Sequence, residues 1–188
     1  MKKLHYILLG IIFASMFACS EADKEMFKGP DSICFRFPQT SDDIDEYRKL
    51  DSSLIFREDT VVYSFAFDME ATERVICIPV QIGGMATGHE RTYMIEVEEY
   101  NGTQAGVHYE ALRKEQVLGA EKTTDSLRVK FFRRDMDKVA RKIGLRIKTG
   151  GDFVEGAQER LFLAIQVSDI LEKPSWWDNW SDCFGTFH

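Results

Sequence analysis

Hydrophobic and polar residues alternate along most of this chain with a period of two, the spacing of a strand that buries one face. Ile33, Phe35 and Phe37 alternate with Ser32, Cys34 and Arg36. Residues 60–67 (TVVYSFAF) and 74–82 (RVICIPVQI) are rich in β-branched and aromatic side chains, which suit a pleated surface. Within 92–99, Tyr93, Ile95 and Val97 stand opposite Met94, Glu96 and Glu98. Further strands are predicted over 115–119, 124–132, 143–149 and 161–168. Turn signals separate them at Gly83-Gly84, Asn101-Gly102, Gly106, Gly150-Gly151 and Gly156. Seven or eight antiparallel strands with a turn about every ten residues predict an all-β, immunoglobulin-like sandwich. There is no βαβ rhythm and no long internal repeat.

Two stretches break the strand pattern. Residues 41–53 (SDDIDEYRKLDSS) are polar and read as a long loop or a short helix. Near the end, Pro174 precedes Ser175, and Asp178 follows three places on, the spacing of a capping box. A helix from Trp176 to about Cys183 then aligns Trp176, Trp180 and Phe184 on one stripe.

The first residues have a different period. Lys2 and Lys3 precede a run over 4–18 that is apolar from Ile7 onward except for Ser15, followed by Ala18-Cys19-Ser20. A basic start, an apolar stretch and a small residue before the cut predict a secretory signal peptide. A small residue followed by Cys resembles a bacterial lipobox, in which the cysteine is acylated, although Met16 stands where Leu is usual. The expected organisation is a signal peptide over 1–18, a tether over 19–30, a sandwich over 31–168 and an aromatic C-terminal segment over 169–188. The expected location is the outer membrane, lipid-anchored through Cys19, at the cell surface. The acids Glu21, Asp23 and Glu25 read equally as a solvated linker or as a likeness to the surface-export signal of Bacteroidetes lipoproteins.

Composition narrows the partners. A chain of 188 residues with 44% hydrophobic and 12% aromatic side chains can bury a single-domain core without disulfide staples. Its net charge of −7 falls to −9 once residues 1–18, with two lysines and no acid, are removed. That balance excludes nucleic acid and an electrostatic hold on anionic lipid, both of which need clustered Lys and Arg. Beyond Cys19, three cysteines allow at most one bridge, and Cys34 and Cys77 read as independent small residues on strands.

The tether, the segment from Ala105 to Glu110 (AGVHYE), the run Lys173-Pro174-Ser175-Trp176-Trp177 and the later Phe184-Gly185 resemble an uncharacterised family of Bacteroidetes surface lipoproteins. The resemblance covers nearly the whole chain and implies a sandwich similar to Calx-β and fibronectin-like domains. It also implies an accessory role near outer-membrane glycan-uptake systems. Relatives usually continue beyond the Phe-Gly, so the ending at His188 is expected to be a shortened one.

Candidate chemistry is sparse. No Gly-x-Ser-x-Gly elbow, phosphate-binding glycine loop or HExxH occurs, so no catalytic residue and no cofactor are assigned. His108 is expected to be a turn residue packed at the sandwich edge. Asp42, Asp43 and Asp45 crowd one loop, and Asp135 and Asp137 lie in the turn after 124–132. Acidic loops of this kind can supply calcium oxygens, and the Asp135–Asp137 turn resembles one in Calx-β domains. Arg133, Arg134 and Lys138 flank it, so a solvated turn is the preferred reading. Trp176, Trp177 and Trp180 either stack on sugar rings or pack the C-terminal segment onto the sandwich, the latter being preferred. Three short sites, starting at Asp31, Asp59 and Asp125, resemble a Bacteroidetes O-glycosylation signal. The expected function is a non-catalytic binding or scaffolding lipoprotein that meets a glycan or an outer-membrane protein. The alternative is a structural protein-interaction module using β-strand addition at a sheet edge.

Overall fold

The structure, a computed structural model, describes residues 29–38, 51–136 and 139–170, together with Ile44 and Cys183. Among the described residues, ten strands form two sheets: β1 (Ser32–Phe35), β2 (Ile55–Arg57), β3 (Thr60–Ser64), β4 (Glu73–Gly83), β5 (Arg91–Tyr100), β6 (Glu115–Leu118), β7 (Thr124–Phe132), β8 (Arg141–Gly151), β9 (Val154–Glu155) and β10 (Phe162–Ser168). The four-stranded sheet has the order β7-β4-β1-β9, and the six-stranded sheet the order β2-β3-β10-β8-β5-β6. Most pairs are antiparallel. The exceptions among the described strands are β1 with β9 and β3 with β10.

The period-two pattern becomes two faces. Ile76, Ile78, Val80 and Ile82 of β4 turn inward with Leu127, Val129 and Phe131 of β7. They meet Tyr93 and Ile95 of β5, Ile143, Leu145 and Ile147 of β8, and Leu163, Ile165 and Val167 of β10. At roughly 1.5–3 kcal/mol for each large apolar side chain buried, this layer is the main source of stability. The outward positions of β4 carry Val75, Cys77 and Gln81, all exposed. Cys34 and Cys77 are free thiols, as the sequence predicted; Cys34 pairs across to Gln81, four places from Cys77.

The strand register defines two ends. The linker enters at Gly29–Asp31, beside Gly83 at the end of β4. β4 and β7 pair antiparallel, with Glu73 opposite Phe132 and Gln81 opposite Thr124, so residues 65–72 and 133–136 lie at the far end. Tyr100 closes β5 at that far end, and the chain reaches Ile170 there after β10.

Three predictions needed correction. Residues 65–67 are a 3-10 turn, not a continuation of the strand, because the Ser64 hydroxyl caps it by accepting from the Ala66 N–H at 3.2 Å. β2 and β9, three and two residues long, went unpredicted. The glycine pair 150–151 lies within β8: the pairing slips from Met94↔Lys148 to Tyr93↔Gly151, a bulge. Gly151 takes φ +80°, and a Cβ there would meet the Thr92 carbonyl oxygen at 2.4 Å. Most of the predicted 41–53 loop lies outside the described residues.

Candidate functional site

Most of the residues singled out in the sequence as candidate sites, namely Cys19, Asp42, Asp43, Asp45, Asp137, Trp176, Trp177 and Trp180, lie outside the described residues. Asp135 is described. It adopts φ 50° in the turn between β7 and β8, and its carbonyl accepts from Arg141 Nε at 3.2 Å and Nη2 at 3.0 Å. Among the described residues, no group of three or more His, Cys, Asp or Glu gathers to hold a metal ion. Arg133, expected to neutralise this turn, is engaged elsewhere. Its Nε and Nη2 donate to the two carboxylate oxygens of Asp169 at 2.8 and 2.7 Å. Its Nη1 donates to the carbonyls of Asp68, Met69 and Ala71 at 3.3, 2.7 and 3.3 Å. One planar guanidinium thus ties three far-end segments together, a task its five fixed donors suit.

The segment from Ala105 to Glu110 is a strap across the open side of the sandwich. Gly106, at φ +77°, donates its N–H to the Tyr109 carbonyl at 2.7 Å. The Glu99 carboxylate accepts from the Ala105 N–H at 2.8 Å and the Tyr109 hydroxyl at 2.9 Å. His108 is 4% exposed, and its Nδ1 accepts from the Gln104 N–H at 3.0 Å. Burial, reinforced by the nearby Arg141 charge, holds the His108 pKa below the ordinary imidazole value. The imidazole is therefore a neutral turn brace, as the sequence suggested. Beyond Glu110 the strap crosses to the six-stranded sheet, where the Lys114 carbonyl accepts from the Ile95 N–H at 2.7 Å.

Two clefts flank this crossing. One, of about 440 Å³, lies between the strap and β5 and is lined by Met94, Glu96, Leu112, Lys114 and Lys148 among others. The other, of about 500 Å³, opens over β6 and the edge of β7, with Val75, Glu115, Val117 and Arg128 in its walls. At the margin of the second, Asp125 accepts from the hydroxyl of Tyr93, which is fully buried, at 2.7 Å. Burial first, then the bond to Asp125, raise the Tyr93 pKa far above the usual phenol range, so it stays neutral.

The outer face of the six-stranded sheet carries an arrangement that the sequence reading missed. Gly144 sits mid-strand in β8, opposite Ala164 of β10 and Glu98 of β5. A Cβ on Gly144 would meet the Phe162 ring at 2.6 Å and the Tyr100 ring at 3.2 Å, so both rings lie over this bare backbone. Tyr100 is 38% exposed and Phe162 half-buried. Arg146 lies 4.9 Å from the Phe162 ring centre and donates to Glu98 at 3.2 Å; the Lys142 ammonium lies 5.9 Å from the Tyr100 centre. The Tyr100 hydroxyl also donates to Glu98. This bond, followed by the one from Arg146, holds the Glu98 carboxyl below its ordinary pKa, and the Tyr100 phenol is correspondingly raised. Lys148 pairs with Glu96 at 3.0 Å along the same face. Two aromatic rings thus share this outer face over Gly144, with Arg146 and Lys142 standing over them and Glu98 bonded to both Tyr100 and Arg146.

Residues 27–188 match the family described as Domain of unknown function (DUF4843), and the chain belongs to that family. No curated protein matches the sequence. Among solved structures, the apo form of the Calx CBD1 domain is 8% identical with a TM-score of 0.48, the match covering 76% of this chain and 100% of that one. The calcium binding domain CBD12 of CALX1.1 is 11% identical with a TM-score of 0.44, covering 62% of this chain and 45% of that one. A Bacteroides ovatus protein provisionally named as carbohydrate binding is 15% identical with a TM-score of 0.40, covering 63% of this chain and 37% of that one. This chain therefore spans less than half the length of the last two. The sandwich itself is established by the strand pairing above.

Proposed function

We propose that the protein is a non-catalytic binding module, held at the outer-membrane surface by acyl chains on Cys19, that offers the outer face of the six-stranded sheet to glycan. The observation that carries this reading is the pair of rings, Tyr100 and Phe162, laid side by side over Gly144. Flat aromatic faces cover the apolar face of a sugar ring, and a few convergent polar groups fix its orientation. Here Glu98 holds Arg146 and the Tyr100 hydroxyl, while Arg146 and Lys142 stand over the rings, where a sugar's hydroxyls would meet them.

Two further features support the reading. Tyr100 ends β5 at the end opposite the linker, so a tether at Gly29 holds these rings away from the lipid. Residues 20–30 span at most about 35 Å when extended, enough to lift the domain clear of a bilayer surface. A catalytic role has little to work with among the described residues: His108 is committed to its turn, and His89 stands on an exposed loop. The place beside outer-membrane glycan uptake rests on the family resemblance.

The test is affinity electrophoresis of the mature chain through gels containing xylan, mannan, laminarin or starch, with Tyr100→Ala alongside. At least one polysaccharide should retard the wild type, and the substitution should abolish the retardation with little change in melting temperature. No retardation in any gel, or equal retardation of both proteins, counts against the reading. Mass spectrometry of the mature N-terminus should find an acylated Cys19; an unmodified residue there removes the surface placement.

A further inference from the structure

The outer edge of β7 is only half used. Ile82 donates its N–H to the Thr123 carbonyl, and alternation along the β4–β7 ladder then turns the odd-numbered residues toward β4. The backbone groups of Thr124, Ser126, Arg128, Lys130 and Phe132 consequently point to the open side. The strap takes the last two: Phe132 N–H donates to the His108 carbonyl at 2.9 Å, and Glu110 N–H donates to the Lys130 carbonyl at 2.8 Å. Between these bonds, Tyr109 bridges antiparallel to Phe131. The strap then leaves for β5, and among the described residues no backbone group pairs with the outward amides and carbonyls of Ser126 and Arg128.

Among the described residues, an open cleft and not a covering loop lies over this edge. Its volume of about 500 Å³ sits between β7 and β6, and it is walled in part by Val75 and Val117, 41% and 50% exposed, and by Leu112 of the strap. The gap from Thr124 to Arg128 is about 13 Å long at roughly 3.3 Å per residue, the reach of a short extended segment. Among the described residues no carboxylate pairs with Arg128, whereas the neighbouring Lys130 is paired with Glu73 at 3.1 Å. A bare edge flanked by apolar side chains and an unmatched cation is a template for another strand.

We propose that this edge receives an extended peptide segment of a partner protein by strand addition, antiparallel to β7 and in line with the pairing the strap begins. Main-chain bonds to Ser126 and Arg128 hold the segment. A carboxylate placed across from Arg128 and an apolar side chain against Val117 and Leu112 select its sequence. The chemistry of the edge, an unmatched Arg128 beside exposed Val75 and Val117, fits an acidic-apolar partner segment, and among the described residues the protein's own strap starts this pairing and then turns away. This surface is separate from the aromatic face, so it stands whether or not that face binds glycan.

The test selects from a displayed library of random eight-residue peptides on the full mature chain, then measures amide hydrogen exchange with the enriched peptides bound. Acidic-apolar peptides should be enriched, and exchange at the Ser126 and Arg128 amides should slow at least tenfold. Arg128→Glu should weaken those peptides at least tenfold, and Ser126→Pro, which removes an outward N–H but no bond to β4, should abolish binding while the melting temperature holds. The proposal is overturned if no peptide is enriched, or if enriched peptides leave those two amides unprotected. It is equally overturned if the free protein sediments as a dimer that Ser126→Pro dissolves, since a second copy then occupies the edge.

Discussion

Gly144→Ala separates packing from binding in one substitution. The added methyl would sit 2.6 Å from Phe162 Cε2, 2.9 Å from its Cζ and 3.2 Å from Tyr100 Cε2. Contacts under 3.0 Å do not persist, so the Phe162 ring must swing aside, whereas the Tyr100 ring need give by only a few tenths of an ångström. Forcing an extra methyl into a well-packed core costs about 1–3 kcal/mol, and the lower end applies here because ring tips on an open face can move. Against this, alanine restrains the unfolded chain and returns about 0.5–1 kcal/mol at a position where its backbone angles are permitted. The net loss should be under about 1 kcal/mol, or roughly 2–4 °C in melting temperature for a domain of this size. Binding should suffer more. Losing one aromatic contact of about 1.4 kcal/mol weakens affinity tenfold. Calorimetric titration with the retarding polysaccharide, run beside a thermal melt, reads both quantities. A fall in melting temperature above about 8 °C would show that Gly144 serves the core. Unchanged affinity would show that the rings over it do not meet the ligand.

Other substitutions probe the supports of the site. Tyr93→Phe removes the buried hydroxyl from Asp125 and should cost about 1.5–3 kcal/mol, the range for a hydrogen bond to a charged group; a melt within 1 °C of wild type would contradict the assigned bond. Arg133→Met should lower the melting temperature by about 4–8 °C, because Asp169 and three carbonyls lose their common donor; the figure is discounted for the partial exposure of both side chains, and an unchanged melt would deny the clamp. Because the folded protein holds the His108 pKa below the unfolded value of 6.5, protonation favours the unfolded chain, and its contribution is lost as pH falls through that value. His108→Gln should therefore flatten the drop in melting temperature between pH 7 and pH 5.5, and parallel curves would locate the sensitivity elsewhere. Calcium added to the mature chain should leave its melting temperature unchanged; a rise of several degrees would restore the Asp135 turn as a metal site.

The sandwich was legible because its long strands bury one face each. In 74–82 and 124–132 the residues of one parity, Ile76, Ile78, Leu127 and Val129, are the buried ones, as the predicted half-buried strands require. β2 and β9 are too short to show a period at all. Phe65 and Phe67 kept the strand alternation in sequence, yet the Ser64 cap bends the backbone there, and Phe67 ends up 60% exposed. The ring pair was hidden for a related reason. The apolar run 161–168 lacks a clear period, so it could not show that Phe162 points outward, and Tyr100 follows Glu98 on the polar parity of β5 just past the predicted strand. A mid-strand glycine such as Gly144 was the available signal, since a bare position in a sheet marks a close approach by something else. The strap was visible as the AGVHYE motif, but pairing between Tyr109 and Phe131 over 22 positions is not a local property.

The most direct measurement is an amide chemical-shift map of the mature chain titrated with the polysaccharide that retards it. The largest changes should fall on Glu98, Tyr100, Gly144, Arg146 and Phe162, on one face of the six-stranded sheet. Changes confined to the linker end, or a ligand that moves none of these five amides, would contradict the account.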